Sequence, residues 1–469
     1  MNRRTFLIRA AAMSAGLAGL SAAMSRNAFA RGTVTAPARD YGPLLKDPNK
    51  LLDLPAGFTY HIFSRLGEVM DDGLLVPGKH DGMAAFAGPD GGTILIRNHE
   101  LEPSWIKYSP FGPQNKLQSK IDASRIYDVG STEFPCIGGT TTLLYDTKSK
   151  ILRKHFLSLA GTMRNCAGGP TPWGTWLSCE EVGCTPTDGG EPDKKFDVKQ
   201  SHGWVFEVPA SIDSGLIKPE PIKAMGRFFH EAVAVDPRTG IIYLTEDRID
   251  GLLYRFIPAV KGQLKEGGRL QALAAIPKWE INDSRNWEKQ TIKSGDNVPV
   301  RWIDLEDVES PKANDLRHRG FAMGATRFAR GEGMWTGADG IYFDCTNGGK
   351  KGVGQIFRYT PSPHEATSGE TNAPGILELF LEPNDSSVIQ YPDTMCISPW
   401  GDLFVCEDGN EPNHLVRVTP QGHVSHFGQN VGKHDEFAGA VFSPDGSTMF
   451  VNMQNHGMTL AITGPWNRD

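Results

Sequence analysis

One alternation of apolar and polar positions recurs six times along the chain. Each copy has a Pro/Asp-Gly type turn, four or five mostly apolar residues, and a polar or acidic end. The copies run from Pro89 to Glu100, Pro172 to Glu181, Asp236 to Asp247, Ala338 to Asn347, Pro399 to Asp408 and Pro444 to Asn455. A short apolar run bounded by glycine and proline predicts a buried strand. A second apolar segment leads into the turn in several copies, at 82–86, 230–235, 393–397 and 436–442. Two apolar strands joined by a glycine-bearing turn make a hairpin, and hairpins repeated around an axis make a propeller. The predicted fold is therefore all-β, a six-bladed β-propeller with loop insertions. The insertions fall at 183–202, 259–320 and 360–380, where Pro, Gly and Lys collect, and are expected as loops on one rim. A pair of packed sandwiches would need strand repeats without the shared polar end. With no second composition regime, residues 31–469 are expected to form a single domain.

Composition changes this picture little. Of 469 residues, 39% are hydrophobic and 22% charged, with 53 glycines and 32 prolines; this is globular and turn-rich, and excludes a disordered, collagenous or multi-span membrane protein. No basic cluster dominates the body, so no nucleic-acid groove is expected. The first thirty residues differ. Arg3 and Arg4 precede Phe6-Leu7, an apolar run follows from Ala10 to Met24, and Ala28-Phe29-Ala30 supplies a small-residue cleavage site. That order predicts an export signal of the twin-arginine (Tat) type, removed after about Ala30, and a periplasmic or secreted product. The apolar run, about 15 residues long, falls short of the roughly 20 needed to span a bilayer, so no membrane anchoring is expected. Removing residues 1–30 takes away four arginines and no acid, leaving 44 basic and 55 acidic residues, a net charge of −11. Such a chain suits cations.

The strand ends and starts carry an unusual stock of acids, including Glu100, Glu180, Glu181, Glu407, Glu231, Asp393 and Glu436. Taken singly, an acid beside a turn is usually solvated. Repeated at equivalent places of a radial fold, acids converge on the axis, where their repulsion requires cations. For Glu181, Glu332 and Glu407 the repetition favours ligation. Oxygen ligands with an occasional thiolate or imidazole suit Ca²⁺ and Fe³⁺ better than structural zinc. His99 and His230 read equally as ligands, as orienters of ligands or as buried hydrogen-bonded residues. There is no GxSxG elbow, GxxxxGK[ST] loop or HExxH helix, which leaves metal-assisted hydrolysis. The seven cysteines are odd in number with no CxxC pair; Cys179 with Cys184, or Cys396 with Cys406, are the pairings their spacing allows.

Four stretches, spanning about 97 to 456 with the last repeats, resemble the PhoX-type alkaline phosphatases: Arg97-Asn98-His99-Glu100, Asn165-Cys166-Ala-Gly-Gly169 with Thr171-Pro-Trp-Gly-Thr-Trp-Leu-Ser-Cys-Glu-Glu181, Gly226-Arg-Phe-Phe-His230-Glu231, and Pro392-Asp393. The resemblance implies a propeller with an axial cluster of two ferric ions and several calcium ions, bridged through an oxide, hydrolysing phosphate monoesters in the periplasm. It implies Glu180 or, preferentially, Glu181 as a metal ligand, Glu332 as a bridge between metals, and Arg330 and Asn98 as phosphate contacts. Gly331 stands where the family has proline. Cys136 is the nearest match to a family iron ligand. The resemblance also implies a small phosphate ester as substrate and the Tat machinery as partner of the precursor; a monomer is expected. Two other readings stay open at this point: a calcium-dependent propeller lactonase or phosphotriesterase, and a non-catalytic propeller that calcium stabilises for binding a partner.

Overall fold

The computed structural model describes residues 40–466 apart from 132, 188, 189, 192, 193, 311–313, 411, 433 and 434. The expected signal at 1–30 lies outside the described residues. Those described belong almost entirely to one compact unit, Pro43–Asp469. No helix among them is long and apolar enough to cross a membrane.

The fold is all-β and propeller-like. All six predicted hairpin strands form, as Thr93–His99, Thr175–Glu180, Ile242–Glu246, Ile341–Cys345, Leu403–Glu407 and Thr448–Met453. Each pairs antiparallel with a strand just before it: His80–Ala87, Asn165–Pro170, His230–Val235, Gly331–Thr336, Pro392–Ile397 and Phe437–Phe442. These six earlier strands are innermost and contact one another in sequence, the last returning to the first. Closure joins the two ends of the chain. Thr59–Arg65 pairs with Met458–Thr463, so Thr59 faces Thr463 across the last sheet, which removes an open edge.

The six blades expected from the repeat do not stand as six separate sheets. Among the described residues two sheets have four strands, one has three, one six and one nine, with two further two-stranded ribbons. The nine-stranded sheet arises because two insertions supply edge strands that pair, Asn297 opposite Glu378. The six-stranded sheet gains Leu44–Leu45 and Leu52–Pro55. Apolar side chains fill the spaces between neighbouring sheets; Trp176, for example, packs with Ala84, Ile96 and Trp204.

The six inner strands share a device at one equivalent place. In all six hairpins the register slips near the start of the inner strand, so two of its residues oppose one on its partner. Such a β-bulge bends the strand and re-aims its side chains. The first bulge residues are Asp81, Cys166, Glu231, Glu332, Asp393 and Gly439; the second are Gly82, Ala167, Ala232, Gly333, Thr394 and Ala440. Small residues at the second position let the strands close on the axis. A Cβ on Gly333 would lie 2.4 Å from the Asp393 carbonyl oxygen. All six second positions line a cavity of only about 20 Å³, about the room of one water. The axis is therefore plugged below the bulges.

Candidate metal centre

The bulges turn five polar side chains toward the plugged axis. Asp81, Cys166, Glu231 and Glu332 are buried, and Asp393 nearly so. Acids that follow the second strand in four of the six hairpins join them: Glu100, Glu181, Asp247 and Asp408. Ligand atoms approach within 4.8 Å of one another in three adjoining triads: Asp81, Glu100 and Cys166; Cys166, Glu181 and Glu231; Glu231, Glu332 and Asp393. Cys166 belongs to the first two triads and Glu231 to the last two.

Electrostatics in this cluster are severe. Burial, reinforced by neighbouring carboxylates, pushes the carboxyls of Asp81, Glu231, Glu332, Asp393 and Glu436 well above the usual range. Glu181 is pushed up to about 7 by burial, even beside Arg164. Burial likewise raises the Cys166 thiol. Burial comes first and repulsion among like charges adds to it, and only cations or protons relieve both. Buried polar atoms normally find partners. Glu231 Oε2 is buried and has none. An oxygen-rich set with one thiol, an orphaned carboxylate oxygen and shared ligands fits several adjoining cations; the thiol suits iron, and the oxygens suit calcium or iron.

Two arginines sit over the triads. Arg330 donates from Nε and Nη2 to Asp247, at 2.8 and 2.7 Å, and from Nη2 to Glu332 at 2.7 Å. Arg164 donates to Glu100 and to Glu181. A mouth of about 420 Å³ opens beside Asp408, Asp435, Glu436 and Asn455. A cavity of about 440 Å³ around Asp236, Arg238 and Asp339 lies at the far ends of the inner strands, away from the acids.

Of the residues singled out from the sequence, Glu100, Glu181, Glu231, Glu332 and Asp393 come together in the triads. Glu436 faces Asp408, Asp393 and Glu100 at their margin, and Arg330 stands above them.

Four others are elsewhere. Glu180 accepts from the backbone N–H of Met163, Gly203 and Trp204 and meets His202 Nδ1 at 2.7 Å. Glu407 accepts from the N–H of Gln390 and His414 and meets His414 Nδ1. Both end the second strand of their hairpin, as does Glu246, which takes the Leu252 N–H. At that position the side chain caps the start of the third strand, and the next residue turns to the axis. Asn98 is buried opposite a bulge. It donates to the Cys166 and Ala167 carbonyls and accepts from Trp176 and Ser178, which leaves nothing for a phosphate. Cys136 lies with His202 and Asp128 in a separate buried cluster. There His202, held well above its usual pKa by Glu180 and Asp128, ties two loops. No disulfide joins the seven cysteines.

Asp81 and Cys166 are the two members of the triads not singled out from the sequence as candidate ligands. Their signal was positional: His80-Asp81-Gly82 and Asn165-Cys166-Ala167 align with His230-Glu231-Ala232 and Pro392-Asp393-Thr394.

The family profile of the alkaline phosphatase PhoX matches residues 39–457. The chain belongs to the PhoX alkaline phosphatase family. It is therefore a phosphoric monoester hydrolase. Among solved structures, Pseudomonas fluorescens PhoX in complex with vanadate, a transition state analogue, is similar with a TM-score of 0.65 and 17% identity, over 91% of this chain and 97% of that one. It shares the propeller-like fold. A gluconolactonase from Xanthomonas campestris gives a TM-score of 0.41 at 12% identity, over 91% and 99% of the two chains. A luciferin-regenerating enzyme gives 0.42 at 10%, over 87% and 96%. No curated protein matches the chain.

Proposed function

We propose that this PhoX-family phosphatase works through Fe³⁺ and Ca²⁺ held on the axis by Asp81, Glu100, Cys166, Glu181, Glu231, Glu332 and Asp393, with Glu436 and Asp408 at the margin. The observation that carries the reading is the placement of Glu231: it is shared by two triads, with one oxygen buried and unpartnered. Cys166 among the donors favours iron in the neighbouring triads over a calcium-only site, and thereby a phosphatase over a calcium-dependent lactonase. When bound, the cations would act as Lewis acids toward the phosphoryl oxygens and acidify an attacking water.

The protein's own part is positioning and charge. Arg330 is fixed by Asp247 on its Nε–Nη2 edge, so its Nη1, which bonds no described residue, is left for a phosphoryl oxygen. Phosphoryl transfer needs charge on three equatorial oxygens neutralised, and a guanidinium suits that. Thr346 donates to Glu332 Oε1 at 3.0 Å and holds that carboxylate in place. The plug of small residues closes the axis below, so substrate is expected from the end that carries the acids and Arg330. Arg3 and Arg4 favour export by the twin-arginine route and a periplasmic product. Purified protein supplied with iron and calcium is expected to hydrolyse an aryl phosphate at alkaline pH and to lose that activity on chelation. Release of phosphate at an undiminished rate from protein shown to be metal-free would overturn the reading.

A further inference from the structure

The residue two places ahead of each axial side chain forms a second, outer set. It is Lys79 before Asp81, Arg164 before Cys166, Phe229 before Glu231, Arg330 before Glu332 and Tyr391 before Asp393. Four of these five hold left-handed backbones that non-glycine residues rarely adopt: Lys79 at φ 48°, Arg164 at 45°, Arg330 at 53° and Tyr391 at 45°. Strain of this kind persists where the surrounding structure imposes it, and it clusters at functional sites. At the Phe229 unit, Arg248 stacks on the Phe229 ring at 3.3 Å. Four consecutive units of the ring thus carry Lys79, Arg164, Arg248 and Arg330, while Asp393, Asp408, Glu436 and Asp435 crowd the other two. Cations arc over one side of the cluster and acids over the other.

Within this arc Arg164 repeats the arrangement of Arg330. Each guanidinium bridges two carboxylates of different hairpins or strands: Glu100 and Glu181 for Arg164, Asp247 and Glu332 for Arg330. The side chains are 26% and 33% exposed while their partner acids are largely buried. Each leaves Nη1 without a bond to a described residue. We propose that Arg164 is a second phosphate-binding arginine, which with Arg330 clamps a dianionic phosphate monoester from two sides. This rests on the phosphatase reading of the same site. Two guanidiniums facing one phosphoryl group favour a dianion over a monoanionic diester, so the clamp also sets monoester preference. Lys79 completes the arc differently. Its Nζ is taken up by Gln454 and Asn455, and Gln454 in turn donates to Asp81 and Glu100, so it acts on the acids rather than on substrate.

The test uses metal-loaded protein and the variants Arg164→Gln and Arg164→Lys. Arg164→Gln is expected to raise both KM for an aryl phosphate and the dissociation constant of inorganic phosphate, read by calorimetry, about 10- to 100-fold. Metal content by elemental analysis should stay at the wild-type level, and Arg164→Lys should recover part of the loss. Phosphate affinity unchanged in Arg164→Gln, or metal lost in proportion to activity, would overturn the clamp and leave Arg164 a structural counter-ion. Calorimetry does not need turnover. A wild-type protein that binds phosphate but cleaves no monoester would refute the phosphatase reading, while weaker phosphate binding in Arg164→Gln would still support the clamp.

Discussion

Stripping the cations from this protein should make its stability fall with rising pH. Glu181 is buried and carries a carboxyl raised to about 7, against about 4.3 in the unfolded chain. A group whose pKa is raised on folding binds more protons folded than unfolded. Its stabilising share is therefore complete below about pH 4 and lost as pH climbs through 7. The shift of two to three units corresponds to about 3 kcal/mol, and Asp81, Glu231, Glu332 and Asp393 act in the same direction. At about 2 °C per kcal/mol for a large domain, Glu181 alone lowers Tm by about 5 °C between pH 5 and pH 8. Cations reverse this, since they bind the ionised carboxylates of the folded state only. The assay is thermal melting followed by circular dichroism at pH 5 and 8, with chelator and with calcium and iron restored, for wild type and Glu181→Gln. The expected result is a fall confined to the chelated proteins, and smaller in Glu181→Gln than in wild type. A chelated wild-type Tm that is flat or higher at pH 8, or an equal fall in Glu181→Gln, would refute the reasoning.

Three further substitutions separate the account from its neighbours. Cys166→Ala should strip metal and with it most activity, whereas Cys136→Ala should leave metal content unchanged and cost about 1–2 kcal/mol of stability by chemical denaturation. Gly439 takes the place of an axial ligand with φ at 60°, and a Cβ there would lie 2.3 Å from the Asp81 carbonyl oxygen. Gly439→Ala should therefore cost roughly 3 kcal/mol or more and weaken metal binding through Asp81, measured by melting and elemental analysis; a stable, fully metallated variant would show that the bulge tolerates a side chain.

The six hairpins were legible because a short apolar run, a turn and a polar end leave marks in the sequence. The bulges leave only a faint positional mark, since an extra residue in a strand looks like any other until its partner is known. That is why Asp81 and Cys166 escaped notice. It is also why Glu180 and Glu407 were placed with Glu181: strand alternation sends successive acids to opposite sides, one to cap a neighbouring strand and one to the axis. Asn98 lies in a matching motif, yet its amide is spent on the Cys166 and Ala167 carbonyls. Six separate blades failed for another reason. The long insertions at 259–320 and 360–380 bring edge strands of their own, and Asn297–Asp304 pairs with Ile376–Leu381 through backbone hydrogen bonds that side-chain pattern does not encode.

The most direct test of the axial centre is the metal content of the purified protein and of Glu231→Gln, measured by elemental analysis beside aryl phosphatase activity. Loss of bound iron or calcium in the variant, with loss of activity to match, is the predicted result. A Glu231→Gln protein that keeps both its metals and its rate would contradict a centre built around that carboxylate.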